Sequence, residues 1–215
     1  MSNTYGSIHI KTEQSEQVVQ MLLAAYKNQP DPYEKYLDEA KRHNVWLSSN
    51  MKSFARECFE RNCENFLVII ADGWVSFYDE QMSFEEVTQK ARSFAKKVQE
   101  PIIYMSSFDG DVYVFGLIED GKTKTSGRAV VDPEVYAMTE KQAKMAEFYR
   151  VADVPMPEKR MKMPSDVTEL EELLASIMPV PLIVYDENDF DDLADEYELI
   201  EEVKGIRVFK VKYKK

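Results

Sequence analysis

Asp79, Glu80, Asp109 and Asp111 are the residues of this chain best placed by type and spacing to do chemistry. They follow two β-rich runs, 74–78 and 102–108, and if those runs lie parallel in one sheet, their carboxyl ends bring all four side chains to one edge. Carboxylates gathered in this way would hold a divalent cation through hard oxygen ligands, or supply an acid and base pair with separated pKa values. Structural roles compete with that chemistry. Asp109 opens an Asp-Gly turn, Asp79 and Glu80 precede a helix whose dipole favours negative charge, and Asp111 is a solvated strand end.

A second concentration of carboxylates lies near the C-terminus. Residues 186–202 contain ten acidic side chains and no Lys or Arg, and residues 204–215 then contain six basic ones. The run 186–192 does not make an EF-hand loop. Counting from Asp186, the sixth position is Asp191 where glycine is needed, and the twelfth is Tyr197 where glutamate is needed. So dense a run repels itself unless its carboxylates are solvated or a basic partner neutralises them. Asp186, Glu187, Asp189, Asp191, Asp192, Asp195 and Glu196 are therefore the expected contacts to a basic protein. A homo-oligomer that pairs the basic tail with a neighbour's acidic stretch fits the same pattern, and so does pairing within one chain.

Other catalytic chemistry is scarce. The two histidines have structural explanations: His9 alternates with Ile8 and Ile10 on a strand, and His43 follows Lys41 and Arg42 at a helix C-terminus. Neither a G-x-S-x-G turn nor a Gly-rich phosphate loop is present. Cys58 and Cys63 would sit about 140° apart on a helix, too far round to share a metal. No cofactor and no metal site are expected, and the balance leans away from an enzyme. Trp46 and Trp74 read as core or hairpin residues, but Val45-Trp46-Leu47 also falls in a loop, where Trp46 would anchor a partner.

Composition limits the partners further. The chain has 215 residues, 44% of them hydrophobic, with a net charge of −12. That is enough apolar material for a core, and the charge disfavours nucleic acid and anionic membrane surfaces. The N-terminal residues lack the pattern of a secretory signal, and no apolar run is long enough to span a bilayer. A cytoplasmic location is the resulting expectation.

The elements that must position these residues can be read from periodicity and turn chemistry. A strand at 7–11 precedes a helix carrying Val18, Val19, Leu22, Ala25 and Tyr26. Asp31-Pro32 opens a short second helix, and Asn50 is the expected cap of a third, with Met51, Phe54, Ala55, Cys58 and Phe59 as its apolar stripe. Asp72-Gly73 joins 66–71 to 74–78 in a hairpin. Ser83 and Glu86 box the start of an amphipathic helix that ends before Pro101. Strands at 102–108, 111–118 and 122–126 form a meander. Thr139 and Gln142 signal one helix, Ser165 another, and a strand at 181–185 precedes a hairpin around Lys204-Gly205.

This order implies an α+β fold, with an antiparallel-dominated mixed sheet, helices on one face and a smaller C-terminal α/β extension or module. The expected divisions are a main domain at 1–130, a connector with one helix at 131–164, and a helix, strand and hairpin module at 165–215. The stretch Gly73-Trp74-Val75-Ser76-Phe77-Tyr78-Asp79-Glu80, followed by the amphipathic helix, Asp109-Gly110-Asp111-Val112 and Gly116-Leu117, resembles a domain of uncharacterised soluble bacterial proteins, many from Bacillus-like species. That resemblance implies a cytoplasmic bacterial α+β protein and carries no catalytic residues over. Together these readings lead to a non-enzymatic interaction or regulatory protein, immunity-like or mimic-like, with a carboxylate-based or cation-dependent enzyme as the alternative.

Overall fold

The computed structural model describes residues 4–27, 32–61, 66–79, 84–157, 162–164, 166–178, 197–203 and 206–212. Its elements follow as β1 (Thr4–Lys11), α1 (Ser15–Lys27), α2 (Pro32–Arg42), α3 (Ser49–Arg61), β2 (Phe66–Ala71), β3 (Trp74–Asp79), α4 (Phe84–Ala95), β4 (Ile102–Phe108), β5 (Val112–Glu119), β6 (Lys122–Val130), α5 (Met145–Ala152), α6 (Val167–Ala175), β7 (Tyr197–Val203) and β8 (Ile206–Val211). The strands form one mixed sheet in the order β6-β5-β4-β1-β3-β2-β8-β7. β2 and β8 are parallel, and every other neighbouring pair is antiparallel. This is the expected α+β class.

Turn chemistry sets the local registers. Asp72 and Gly73 both take positive φ, 45° and 77°, in a two-residue turn that pairs Ala71 with Trp74. Asp120 and Gly121 do the same between Glu119 and Lys122, at 50° and 69°. Two further glycines admit close packing within the sheet. Tyr104 lies against Gly116 and Phe115 against Gly127, their cross-strand partners, and a Cβ at either position would come within 2.5 Å of the ring.

Strand alternation divides the core between the two faces of the sheet. Ile8, Ile10, Val75 and Phe77 point to one face, where Val18, Val19, Leu22 and Leu23 of α1 and Val87, Ala91 and Phe94 of α4 cover them. Thus α1 and α4 share a face. The opposite face carries Ile69, Trp74, Ile103, Met105 and Phe115 and is closed by α5 and α6. Residues 131–164, expected to wrap the surface as a connector, supply the fully buried Met145 and Phe148. The C-terminal hairpin β7-β8 extends the same sheet through β2.

Several helix starts differ from the sequence reading. Ser48, not Asn50, caps α3: its Oγ accepts from the Met51 N–H at 3.2 Å. Asp166 caps α6, accepting from the Glu169 N–H at 2.9 Å, while Ser165 lies outside the described residues. α5 begins at Met145 rather than near Thr139. Lys141 exchanges backbone hydrogen bonds with Arg128, and the Lys144 N–H donates to Thr125 Oγ1 at 2.8 Å, so tertiary pairing holds residues 141–144 out of a helix. β6 runs on to Val130 because Val112 to Phe115 of β5 supply partners for its whole second half. Ser83, Cys63 and the strand expected at 181–185 lie outside the described residues.

The α2–α3 hairpin stands apart from this packing. None of the described side chains of α2 or α3 is buried; in the loop between them, only Leu47 is. The stripe expected to face a core does form on α3, but Met51 is 50% and Phe54 68% exposed.

Candidate functional site

β3 and β4 both run antiparallel to β1 and flank it, so they are parallel to each other and end at the same sheet edge. Gly6 of β1 faces Asp79 on one side and Ser106 on the other, which puts these two backbones about 10 Å apart across two strand spacings. Asp109 and Asp111 lie beyond Ser106, in the three-residue loop that joins Phe108 to Val112. The Asp79 side chain and all of Glu80 lie outside the described residues. Asp109 takes φ 51° and Gly110 φ 73°, the turn role expected of them.

Asp111 is engaged by the chain itself. Its Oδ2 accepts a 2.5 Å hydrogen bond from the Tyr136 hydroxyl, and its carbonyl accepts from the Val131 N–H at 2.8 Å. Donating to a carboxylate favours the neutral phenol and pushes Tyr136 up to about 12. The Tyr136 ring also meets Phe108 edge-on at 5.9 Å. Asp111 thus fastens the 131–137 turn to the sheet edge. Among the described residues, no three His, Cys, Asp or Glu side chains are grouped to hold a metal.

Of the acidic C-terminal stretch, Asp186, Glu187, Asp189, Asp191, Asp192, Asp195 and Glu196 lie outside the described residues. Its last part is β7, the final strand of the described sheet. The pairing register shifts between Leu199 and Glu201, so Ile200 has no partner across the ladder. Glu198 and Glu202 are exposed, and Leu199 and Ile200 stand 48% and 49% exposed between them. Glu201 instead accepts from Gln20 of α1 at 3.2 Å.

Trp74 belongs to the core, whereas Trp46 is 80% exposed and Val45 beside it 53%. Trp46 therefore lies outside the core, in the loop between α2 and α3. Arg56 of α3 lies 5.6 Å from the Tyr33 ring of α2, a cation–π contact that holds the hairpin together.

Sequence reasoning missed a polar cluster at the centre of the sheet. Strand pairing sets His9 beside Ser76 and Ser7 beside Tyr78, all four on the face covered by α5 and α6. His9 Nδ1 lies 2.8 Å from Ser76 Oγ, and Nε2 lies 3.0 Å from Ser7 Oγ. In a neutral imidazole, one nitrogen donates and the other accepts, so serine hydroxyls suit both. Burial, only partly offset by a hydrogen bond to Ser76, raises the Tyr78 phenol well above its ordinary range. These distances match those between a nucleophile and its base, but Ser7, His9 and Ser76 are fully buried and no substrate can reach them here. The only sequence signal was matched polar alternation on β1 and β3.

The fold and its surfaces define an α+β protein whose described residues build an eight-stranded mixed sheet, with an acidic strand edge and an exposed helical hairpin. No protein-family model matches the chain, and no curated protein or solved structure is significantly similar to it. No described helix is long and apolar enough to cross a membrane.

Proposed function

We propose that the protein is a non-enzymatic interaction or regulatory module that binds a basic partner along its acidic C-terminal edge. The exposure of β7 carries this reading: Leu199 and Ile200 offer apolar area while Glu198 and Glu202 set the sign of the partner's charge. In the sequence, β7 directly follows the seven carboxylates of residues 186–196. The bulge at Ile200 and the flanking carboxylates blunt the strand against edge-to-edge pairing, so the partner is gripped through side chains rather than added as a strand. Such a module works in the bacterial cytoplasm as an immunity-like or mimic-like neutraliser, apart from nucleic acid and membranes, whose phosphates its charge repels.

Affinity capture from lysate at low salt tests this, using the native chain beside the Glu198→Lys/Glu202→Lys variant. The native chain should retain basic proteins that elute as salt rises through the physiological range, where the screening length falls to about 8 Å. The variant should retain far less. Salt-insensitive retention, or equal retention by the variant, would overturn the reading.

A carboxylate-based or cation-dependent enzyme is the second reading, favoured by the shared edge on which β3 and β4 end. It requires magnesium, manganese or calcium to raise the melting temperature, since a ligand bound only by the folded state stabilises it. Asp109→Asn/Asp111→Asn should abolish that rise. No rise in the native chain, or one that survives in the variant, removes this reading.

A further inference from the structure

We infer that the α2–α3 hairpin is the docking surface for the acidic edge β7 of a second copy of this chain. The inference rests on the reading of β7 as a docking edge and names one occupant for it. Two independent surfaces on the same molecule carry it.

The first is the hairpin, whose carboxylates (Glu34, Asp38, Glu39, Glu57 and Glu60) all lie outside its tip. Residues 40–56, at the tip, contain Lys41, Arg42, Lys52 and Arg56 and no carboxylate, in a chain of net charge −12. Val45, Trp46, Met51 and Phe54, four large apolar side chains within ten residues, are each at least half exposed. Large apolar groups left in water beside cations mark a contact surface, and Trp with Arg is the pairing most enriched in binding hot spots. Lys41 pairs with Asp38 at 3.3 Å, but both side chains are largely in solvent, and an exposed pair of this kind exchanges partners at little cost.

The second surface is β7, which is complementary in both respects. Leu199 and Ile200 supply the apolar part, and the exposed Glu198 and Glu202, which the register sets across from Lys210 and Arg207 of β8, supply the opposite charge at the outer strand. Charge selects between possible occupants of the hairpin. A second hairpin meeting tip to tip would set the cations of residues 40–56 against each other, and a phosphate surface would meet the tip favourably but the rest of the acidic chain unfavourably. Among the described residues, contact within one copy does not account for the complementarity, since Trp46, Phe54, Leu199 and Ile200 are all exposed in the same molecule. A hairpin-to-edge contact joins two different surfaces, so it forms a two-fold pair making the contact twice, a ring, or an open filament where the rotation does not close.

Light scattering coupled to size exclusion tests this on the full chain, over a protein concentration series at low and moderate salt. The expected result is a mass above that of one chain at low salt, which falls as salt is added. Trp46→Ser/Phe54→Ser and Arg42→Glu/Lys52→Glu should each be monomeric while keeping the native circular dichroism and melting temperature. Mixing Arg42→Glu/Lys52→Glu with Glu198→Lys/Glu202→Lys should restore association, because the acidic hairpin then meets a basic β7 and the native hairpin meets a native β7. A monomer at every concentration, an assembly that survives Trp46→Ser/Phe54→Ser, or failure of the mixed pair overturns the inference. A monomer that still captures basic proteins through β7 defeats this inference and leaves the proposed function standing. Self-association with no capture of foreign basic proteins does the reverse.

Discussion

Helices α3 and α4 carry the same kind of apolar stripe and meet opposite fates. On α4, Val87, Ala91 and Phe94 recur at helical spacing and are 0%, 0% and 5% exposed, pressed against the sheet face that also receives α1. On α3, Met51 and Phe54 recur at the same spacing and are 50% and 68% exposed. The contrast shows that periodicity reports how a helix divides its side chains between two faces, whereas burial needs a second surface to cover one of them. For α4 the chain supplies that surface, and for α3 no described residue does. This uncovered stripe next to four cations is the observation on which the docking inference rests.

The sharpest way to break this comparison is to remove one phenylalanine from each helix. Phe94→Ala deletes a ring packed edge-on against Phe77 at 5.6 Å, and it should cost about 3 to 5 kcal/mol of stability through lost transfer and an incompletely collapsed cavity. Phe54→Ala, in solvent, should stay within about 0.5 kcal/mol, as surface substitutions do. Urea denaturation of both variants under conditions where the chain is monomeric measures the difference. Equal losses would mean that the α3 stripe is covered after all, and the case for a docking surface would go with it.

What could be read from the sequence follows the range of the interactions involved. The β2-β3 hairpin and the β4-β5-β6 meander were legible because Asp-Gly turns fix register between adjacent residues. The parallel pairing of β2 with β8 was not, since its partners are far apart in the chain and no turn encodes it. The start of α5 was misread for a similar reason: Thr139 and Gln142 look like a helix start, but Arg128 and Thr125 hold residues 141–144 extended. His9 looked like an ordinary strand residue because its serine partners include one 67 positions away. Of the candidate sites, Trp46 was legible as a loop aromatic, while the acidic run was legible as charge alone, with only β7 and its neighbours placed in the fold.

Two tyrosines extend the same contrast to protonation. Tyr78 is raised first by burial in the centre of the sheet, and Tyr136 first by its hydrogen bond to Asp111 at the surface. A tyrosine whose folded pKa lies above its unfolded value adds stability that is intact below the unfolded value, near 10.0, and is lost as pH rises beyond it. Both residues obey that sign, but the physical cost differs. Ionising Tyr78 would put an anion beside His9 and Ser76 in a closed core, so it is coupled to opening that core. Ionising Tyr136 severs one surface hydrogen bond and sets two anions together, which water screens. Stability measured by denaturant from about pH 8 to about pH 13 should therefore begin to fall near the ordinary tyrosine value for both residues, because both folded values lie above it, and the share of Tyr136 should level off near 12. Above that pH, Tyr78→Phe should flatten the remaining fall more than Tyr136→Phe does. If Tyr136→Phe flattened that upper part equally, the loss there would come from the sheet edge, and the centre would not be the closed compartment that its burial indicates.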